Sequence, residues 1–302
     1  MKTKIDLVDL VNAPSLCRRT AGRMQAVIAF ETLTLRGIGG FRQYGLYFFT
    51  FWLYGIFQPT RARAIRDGYF SARYWDDVAD RDRPLPQGYA TIKEFLDNKS
   101  LLVRQIYDPR KPAPLPGDEA DAMPADLYLS SQAMGISLLD ETLAIFDALK
   151  LDAERSNRRM LTEEELKRAF RKLDYACVNG ALKIAGEPYR AELLHDLSNA
   201  VRIWYSLRDF PNDMAAGIIN ISSQDMARYG INPDMCQGTL PELLAYGPFH
   251  EWYAAQAGLG QSYLAAARQT IKETPFKFLT RLALDFNFVS PAERFFSQTA
   301  NL

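Results

Sequence analysis

Apolar residues return at helical steps along most of this chain. Met24, Val27, Ile28, Phe30, Leu33 and Leu35 recur at intervals that predict a helix over 24–36. Residues 1–25 form a mixed amphipathic start with a turn signal at Asn12-Ala13-Pro14-Ser15. The Gly-rich stretch 37–40 interrupts the pattern; it lacks a P-loop lysine and reads as a loop. Residues 41–57 resume as an apolar helix ending near Gly55. Thr60 is the expected N-cap of a helix to about Asp82, where Pro84 and Pro86 stop it. Thr91 is the expected cap of a helix over 90–107. The prolines of 108–126 mark the clearest loop, read as a surface excursion rather than a lid. A helix over 127–150 follows. Thr162-Glu163-Glu164-Glu165 is a capping box opening a helix that ends at Gly186-Glu187-Pro188. Further helices fall at 189–215, 241–273 and 275–289. Only Ile218 to Ile221 reads as β, and it is short. The pattern implies an all-α fold in one domain over 1–302, with 1–40 set apart as an N-terminal segment, and no repeat period.

Composition narrows the chemistry. Lys+Arg and Asp+Glu balance at 36 each, so no net field attracts nucleic acid or an anionic membrane. Cys17, Cys177 and Cys236 stand far apart without metal-type pairing, which points to a reducing, cytoplasmic setting and no disulfide framework. His195 and His250 lack zinc spacing. No secretory signal is visible, and no dinucleotide fingerprint. The run 44–57 is too short to span a bilayer and reads as a buried helix. Its alternative is a surface that dips into a membrane to collect a greasy substrate, which leaves peripheral membrane contact open.

The candidate chemistry lies in two acidic stretches. Arg73-Tyr74-Trp75-Asp76-Asp77-Val78-Ala79-Asp80 places Asp76 and Asp80 four residues apart. Arg208-Asp209-Phe210-Pro211-Asn212-Asp213 repeats the device with Asp209 and Asp213. On a helix these pairs stack on one face, with Asp77 about 100° round from Asp76. Carboxylates stacked in a cavity need a cation. Mg²⁺, with Mn²⁺ as its substitute, is the natural one, since it takes hard oxygens from one or two carboxylates and from substrate phosphates. Asp76, Asp77, Asp80, Asp209 and Asp213 are the candidate metal ligands. Arg73 and Arg208 suit phosphate oxygens through paired hydrogen bonds. A solvated acidic face is the ordinary alternative, but Tyr69, Phe70, Tyr74, Trp75 and Val78 flank the first cluster, and Val201, Ile203, Trp204, Tyr205 and Leu207 precede the second. Such flanks predict two facing acidic helices around one lined cavity. Gly180, inside a helix, suggests a bend or close approach where a ligand lies.

The segment Tyr69-Phe70-Ser71-Ala72-Arg73-Tyr74-Trp75-Asp76-Asp77-Val78-Ala79-Asp80 resembles the first Asp-rich motif of the squalene/phytoene synthase family. Arg208-Asp209-Phe210-Pro211-Asn212-Asp213, followed by Gly217, resembles the second, and Asp152 before Thr162-Glu163-Glu164-Glu165-Leu166 resembles the start of the central helix. The resemblance spans roughly 45–230. It implies a class I isoprenoid-synthase helical bundle around a central cavity. It also implies Mg²⁺-dependent ionisation of an allylic prenyl diphosphate, with Asp76, Asp80, Asp209 and Asp213 on metal and Arg73 and Arg208 on diphosphate. The chain departs from the family pattern at Tyr205 (usually asparagine), Arg202 (usually glutamine), Asn220 (usually tyrosine), Asp174-Tyr175-Ala176-Cys177-Val178-Asn179-Gly180 in the central helix, and Lys183 (usually small).

Ionisation leaves a carbocation, which needs a dry cavity with aromatic faces. Tyr69, Phe70, Trp75, Trp204, Tyr205 and Phe210 are the lining candidates, each with ordinary core packing as its alternative. With Arg73, Arg208, Gly180 and Lys183, the residues Tyr69, Trp75, Trp204 and Tyr205 make up the expected substrate-binding set. The leading expectation is a terpene synthase, a lyase that cyclises one farnesyl or geranylgeranyl diphosphate (C15 or C20), because the departures fall where a second substrate would be handled. The alternatives are head-to-head joining of two prenyl diphosphates and a non-catalytic helical protein that binds lipid or a partner.

Overall fold

The computed structural model describes residues 7–35, 48, 50, 51, 53–108, 110, 118–155 and 159–299. The glycines of 37–40 lie outside them, as does most of the 108–117 loop. Among the described residues every regular element is helical and no strand forms. The α-helices are α1 (Leu7–Asn12), α2 (Pro14–Leu35), α3 (Pro59–Ala79), α4 (Ile92–Tyr107), α5 (Ala122–Ala133), α6 (Leu139–Arg155), α7 (Glu163–Ala185), α8 (His195–Ala215), α9 (Ser223–Tyr229), α10 (Leu240–Leu244), α11 (Gly247–Glu273), α12 (Phe278–Leu284) and α13 (Ser290–Thr299). This all-α architecture is consistent with an isoprenoid-synthase bundle. The chain divides into two compact units. The first is Met1–Lys150 with Asn179–Pro188, the second Leu151–Val178 with Tyr189–Leu302.

In the first unit, α2 and α3 pack on α5. Ala64 of α3, Leu127 of α5, Leu138 and Ile184 are buried together. The N-cap of α3 is Gln58, two residues before the expected Thr60, because Pro59 takes the first helical position, where its fixed φ suits the helix and its missing N–H costs nothing. It stops at Ala79, short of Asp82. The Arg83 N–H donates back to the Asp77 carbonyl at 2.8 Å, and Arg81 turns left-handed at φ 66°. Thr91 caps α4 as expected, accepting from the Glu94 N–H at 3.1 Å.

The 108–126 loop is shorter than the prolines suggest. Asp118 and Asp121 form a capping box, a 3₁₀ turn runs over Glu119–Asp121, and Pro124 falls in the first turn of α5, where proline is tolerated. The helix expected over 127–150 is two helices, parted by Gly135 at φ 68°. Of the 44–57 run, residues 44–47, 49 and 52 lie outside the described residues. Phe51 and Tyr54 are buried, while Ile56 and Phe57 are exposed. Among the described residues no helix is long and apolar enough to cross a membrane.

In the second unit, Thr162 and Glu165 exchange the hydrogen bonds of the expected capping box at 2.8 and 3.2 Å. Helix α8 packs along α11, and Phe210 meets Phe249 at 4.8 Å and Trp252 at 5.7 Å. Gly260 of α11 lets the Phe296 ring of α13 lie where a Cβ would stand. The helices expected over 241–273 and 275–289 are each divided. Thr239 opens the short α10 before α11, and a π turn over Asp285–Val289 joins α12 to α13.

The sequence reading gave no warning of a buried ion pair in the first unit. Lys99 of α4 is 1% exposed and donates to Asp121 at 2.7 and 2.8 Å and to Asp118 at 3.1 Å. Burial pushes the Asp121 carboxyl up in spite of the ammonium beside it. Burial would lower Lys99, but Asp121 and Asp118 outweigh it and hold the ammonium protonated. Lys99→Met leaves the buried Asp121 carboxylate uncompensated and should cost about 3–5 kcal/mol in urea unfolding. Lys99→Met with Asp121→Leu should recover most of that loss. A single variant as stable as the parent would show that the pair is not buried.

Candidate active site

Helix α3 delivers the first acidic cluster at its last turn. Phe70, Tyr74 and Val78 recur every fourth residue and are buried, and Trp75 tilts against Phe146 with centroids 4.3 Å apart. That packing turns Asp76 outward, where its side chain is 40% exposed. Asp77 lies inward and buried, and Asp80 stands exposed at the helix end. Arg73 gathers the carboxylates: its guanidinium is 2.5 Å from Asp77, 3.4 Å from Asp76 and 4.0 Å from Asp82. Arg83 lies 5.3 Å from the Tyr74 ring centroid and pairs with Glu31.

Helix α8 delivers the second cluster in the same way. The helix continues through Pro211 to Ala215, with Asp209 and Asp213 one turn apart. Arg208 clasps Asp209 with both arms, its Nε at 2.7 Å, and lies over the rings of Tyr205 (4.7 Å) and Trp204 (5.4 Å). Gly217, left-handed at φ 80°, reverses the chain. The β-like run Ile218–Ile221 therefore has no partner strand among the described residues. Ile219 and Ile221 are buried, and Asn220 is brought back onto α8, where its Nδ2 donates to Asp213 at 2.7 Å. Burial, then the Asp209 charge, pushes Asp213 up to about 7, with the Asn220 hydrogen bond pulling the other way.

Both acidic faces sit at helix C-termini with no basic residue in the last turn. The macrodipole disfavours negative charge there and favours cations. Among the described residues no three acidic, histidine or cysteine side chains converge on one point. Each face thus offers a hard cation one or two carboxylates, the share Mg²⁺ usually takes from protein when phosphate and water complete its shell. The residues present fit that role.

The positions that depart from the family pattern pair with protein groups of their own unit. Arg202 donates to Asp174 through Nε at 3.2 Å and through a second arm, and lies 4.6 Å from the Phe170 ring. Asn220 joins Asp213 to Arg155, whose Nη2 donates to Asn220 Oδ1 at 2.8 Å. Lys183 pairs with Glu141 at 2.6 Å and reaches the Ser137 carbonyl at 3.2 Å. Gly180 lies inside the unbroken α7, where an added Cβ would meet Glu141 at an ordinary 3.9 Å. Trp75, Trp204 and Phe210 are buried, with Phe210 in the aromatic core of its unit, while Tyr69 is half-buried against Phe51 and Phe70. Arg155, fully buried, was missed from sequence; the Asp152–Arg155 spacing of three on a helix was its only signal.

No protein-family model matches the chain. It is 27% identical over 176 residues to a presqualene diphosphate synthase of Rhodopseudomonas palustris, covering 58% of this chain and 57% of that protein. The match therefore spans little more than half the relative's length. It supports the squalene/phytoene synthase resemblance.

Asp213 titrates near 3.8 when unfolded and about 7 when folded, so the native state holds the proton more tightly. Its contribution to stability is complete below the unfolded value and is lost as pH rises through 7. Asp213→Asn keeps an acceptor for Asn220 and removes the titration. It should equal the parent in urea unfolding at low pH and exceed it at about pH 8. Parallel pH profiles for the two proteins would refute the burial of this carboxyl.

Proposed function

We propose that this divergent relative of the squalene/phytoene synthases joins two allylic prenyl diphosphates head to head, as a prenyltransferase. The observation that carries the reading is the doubled arrangement of carboxylates at a helix C-terminus beside an arginine: Asp76, Asp77 and Asp80 with Arg73, and Asp209 and Asp213 with Arg208. The similarity to a presqualene diphosphate synthase favours coupling over the cyclisation expected from the sequence. Arg202 and Asp174 pair with each other, and Asn220 bonds a proposed ligand, so the altered region is polar and satisfied rather than eroded.

In the proposed reaction the allylic C–O bond of one substrate breaks, and its electron pair leaves with diphosphate. The double bond of the second substrate captures the C1 cation, a proton is lost, and the product carries both carbon skeletons and one diphosphate. Mg²⁺ held by the acidic faces would supply positive charge for the departing diphosphate. Arg73 and Arg208 would present their paired N–H groups to phosphate oxygens. Arg208 is already oriented for this by the Tyr205 and Trp204 faces beneath it. Those two rings would also stabilise a nearby cation. The substrate class is farnesyl or geranylgeranyl diphosphate.

Purified protein with Mg²⁺ and either diphosphate should yield a product of doubled carbon number. One diphosphate should be released for every two substrates consumed. A product of unchanged carbon number, with one diphosphate per substrate, would replace coupling with cyclisation. No turnover of either substrate would favour a binding protein. Asp76→Ala and Asp209→Ala should each lower turnover at least about a hundredfold with circular dichroism unchanged. Near-normal activity in both would overturn the metal assignment.

A further inference from the structure

The second unit holds a connected line of polar side chains that ends on a proposed metal ligand. Arg155, at the C-terminus of α6, is 0% exposed. Its Nη1 donates to Asp152 Oδ1 at 2.9 Å, and its Nη2 donates to the Ile219 carbonyl at 2.7 Å and to Asn220 Oδ1 at 2.8 Å. Asn220 Nδ2 then donates to Asp213 Oδ2 at 2.7 Å. Arginine can only donate, so the Asn220 oxygen must face it, and the amide nitrogen must face Asp213. The guanidinium therefore fixes the amide, and the amide fixes the plane of the carboxylate. The backbone holds the same line in place: Gly217 turns left-handed at φ 80°, the Ile218 N–H returns to the Asp213 carbonyl at 2.8 Å, and Ile219 and Ile221 are buried on either side of Asn220.

We infer that Asn220, locked by Arg155, is a positioning residue that orients the Asp213 carboxylate for a divalent cation. The inference rests on the metal–diphosphate reading of this face. It goes beyond that reading by giving a role to a residue at which the chain leaves the family pattern. Asn220 touches neither substrate nor metal. It acts through Asp213, as hydrogen-bond partners of metal-bound carboxylates do.

The test is Mn²⁺ binding followed by electron paramagnetic resonance, with no substrate present. The parent is the Asp76→Ala/Asp77→Ala/Asp80→Ala protein, which is left with the second acidic face. Asn220→Leu in that background should weaken Mn²⁺ binding by about 10- to 100-fold, with a thermal midpoint close to the parent's. Asn220→Ser leaves room for water around Arg155, guards against a folding defect in the leucine variant, and should weaken binding likewise. Asn220→His should restore most of the affinity, since a neutral imidazole accepts at one nitrogen and donates at the other. If folded Asn220→Leu or Asn220→Ser binds Mn²⁺ within about twofold of the parent, the positioning role fails while the metal reading stands. If the parent binds no Mn²⁺, the metal reading of this face fails and the inference with it.

Discussion

Two helices of this protein end on the wrong charge. Asp76 and Asp77 occupy the last turn of α3, and Asp213 the last turn of α8, where carbonyl groups already concentrate negative potential. Positive charge brought to such an end stabilises it. Arg73 and Arg208 supply part of that charge, each drawn onto carboxylates of its own helix. The rest is an unmet demand, visible in Asp213, which burial and Asp209 push towards holding a proton instead. Under the proposed function, a bound divalent cation would answer the same demand.

The surroundings of that second face show how a divergent site stays coherent. Changing a glutamine-type position to Arg202 alone would leave a cation in a half-buried setting. The neighbouring helix carries Asp174 in reach, and Phe170 offers its ring. Asn220 makes two hydrogen bonds, one to a guanidinium and one to a carboxylate. Hydrogen bonding lowers the cost of burying such polar groups.

Local signals read from the chain were dependable where the physics is local. Thr91 and the Thr162–Glu165 box cap the helices they announce, because a cap involves only residues three apart. Proline misled in two directions. Pro59 took the first helical position in front of the expected cap, and Pro124 lay inside a helix instead of closing a loop. Both follow from one rule, that the first turn of a helix has no use for the N–H that proline lacks. The Ile218–Ile221 run alternates in burial as a strand does, but among the described residues it finds no neighbouring edge, and its Ile219 carbonyl goes to Arg155. Lys99 could have been suspected, since it shares a helix face with Phe95, Leu102, Val103 and Ile106, all buried.

What the amino-acid order settled alone was the helical class, the positions of the two carboxylate pairs and the arginine beside each. Those depend on periodicity and on neighbours within a turn. Tertiary structure alone decided which carboxylate would be solvated and which buried, that Asn220 would close on Asp213, and that Arg155 and Lys99 would sit unhydrated among acids. Such outcomes depend on groups 7 to 65 residues apart in the chain meeting in space, and on the water they lose when they meet, which no local pattern records.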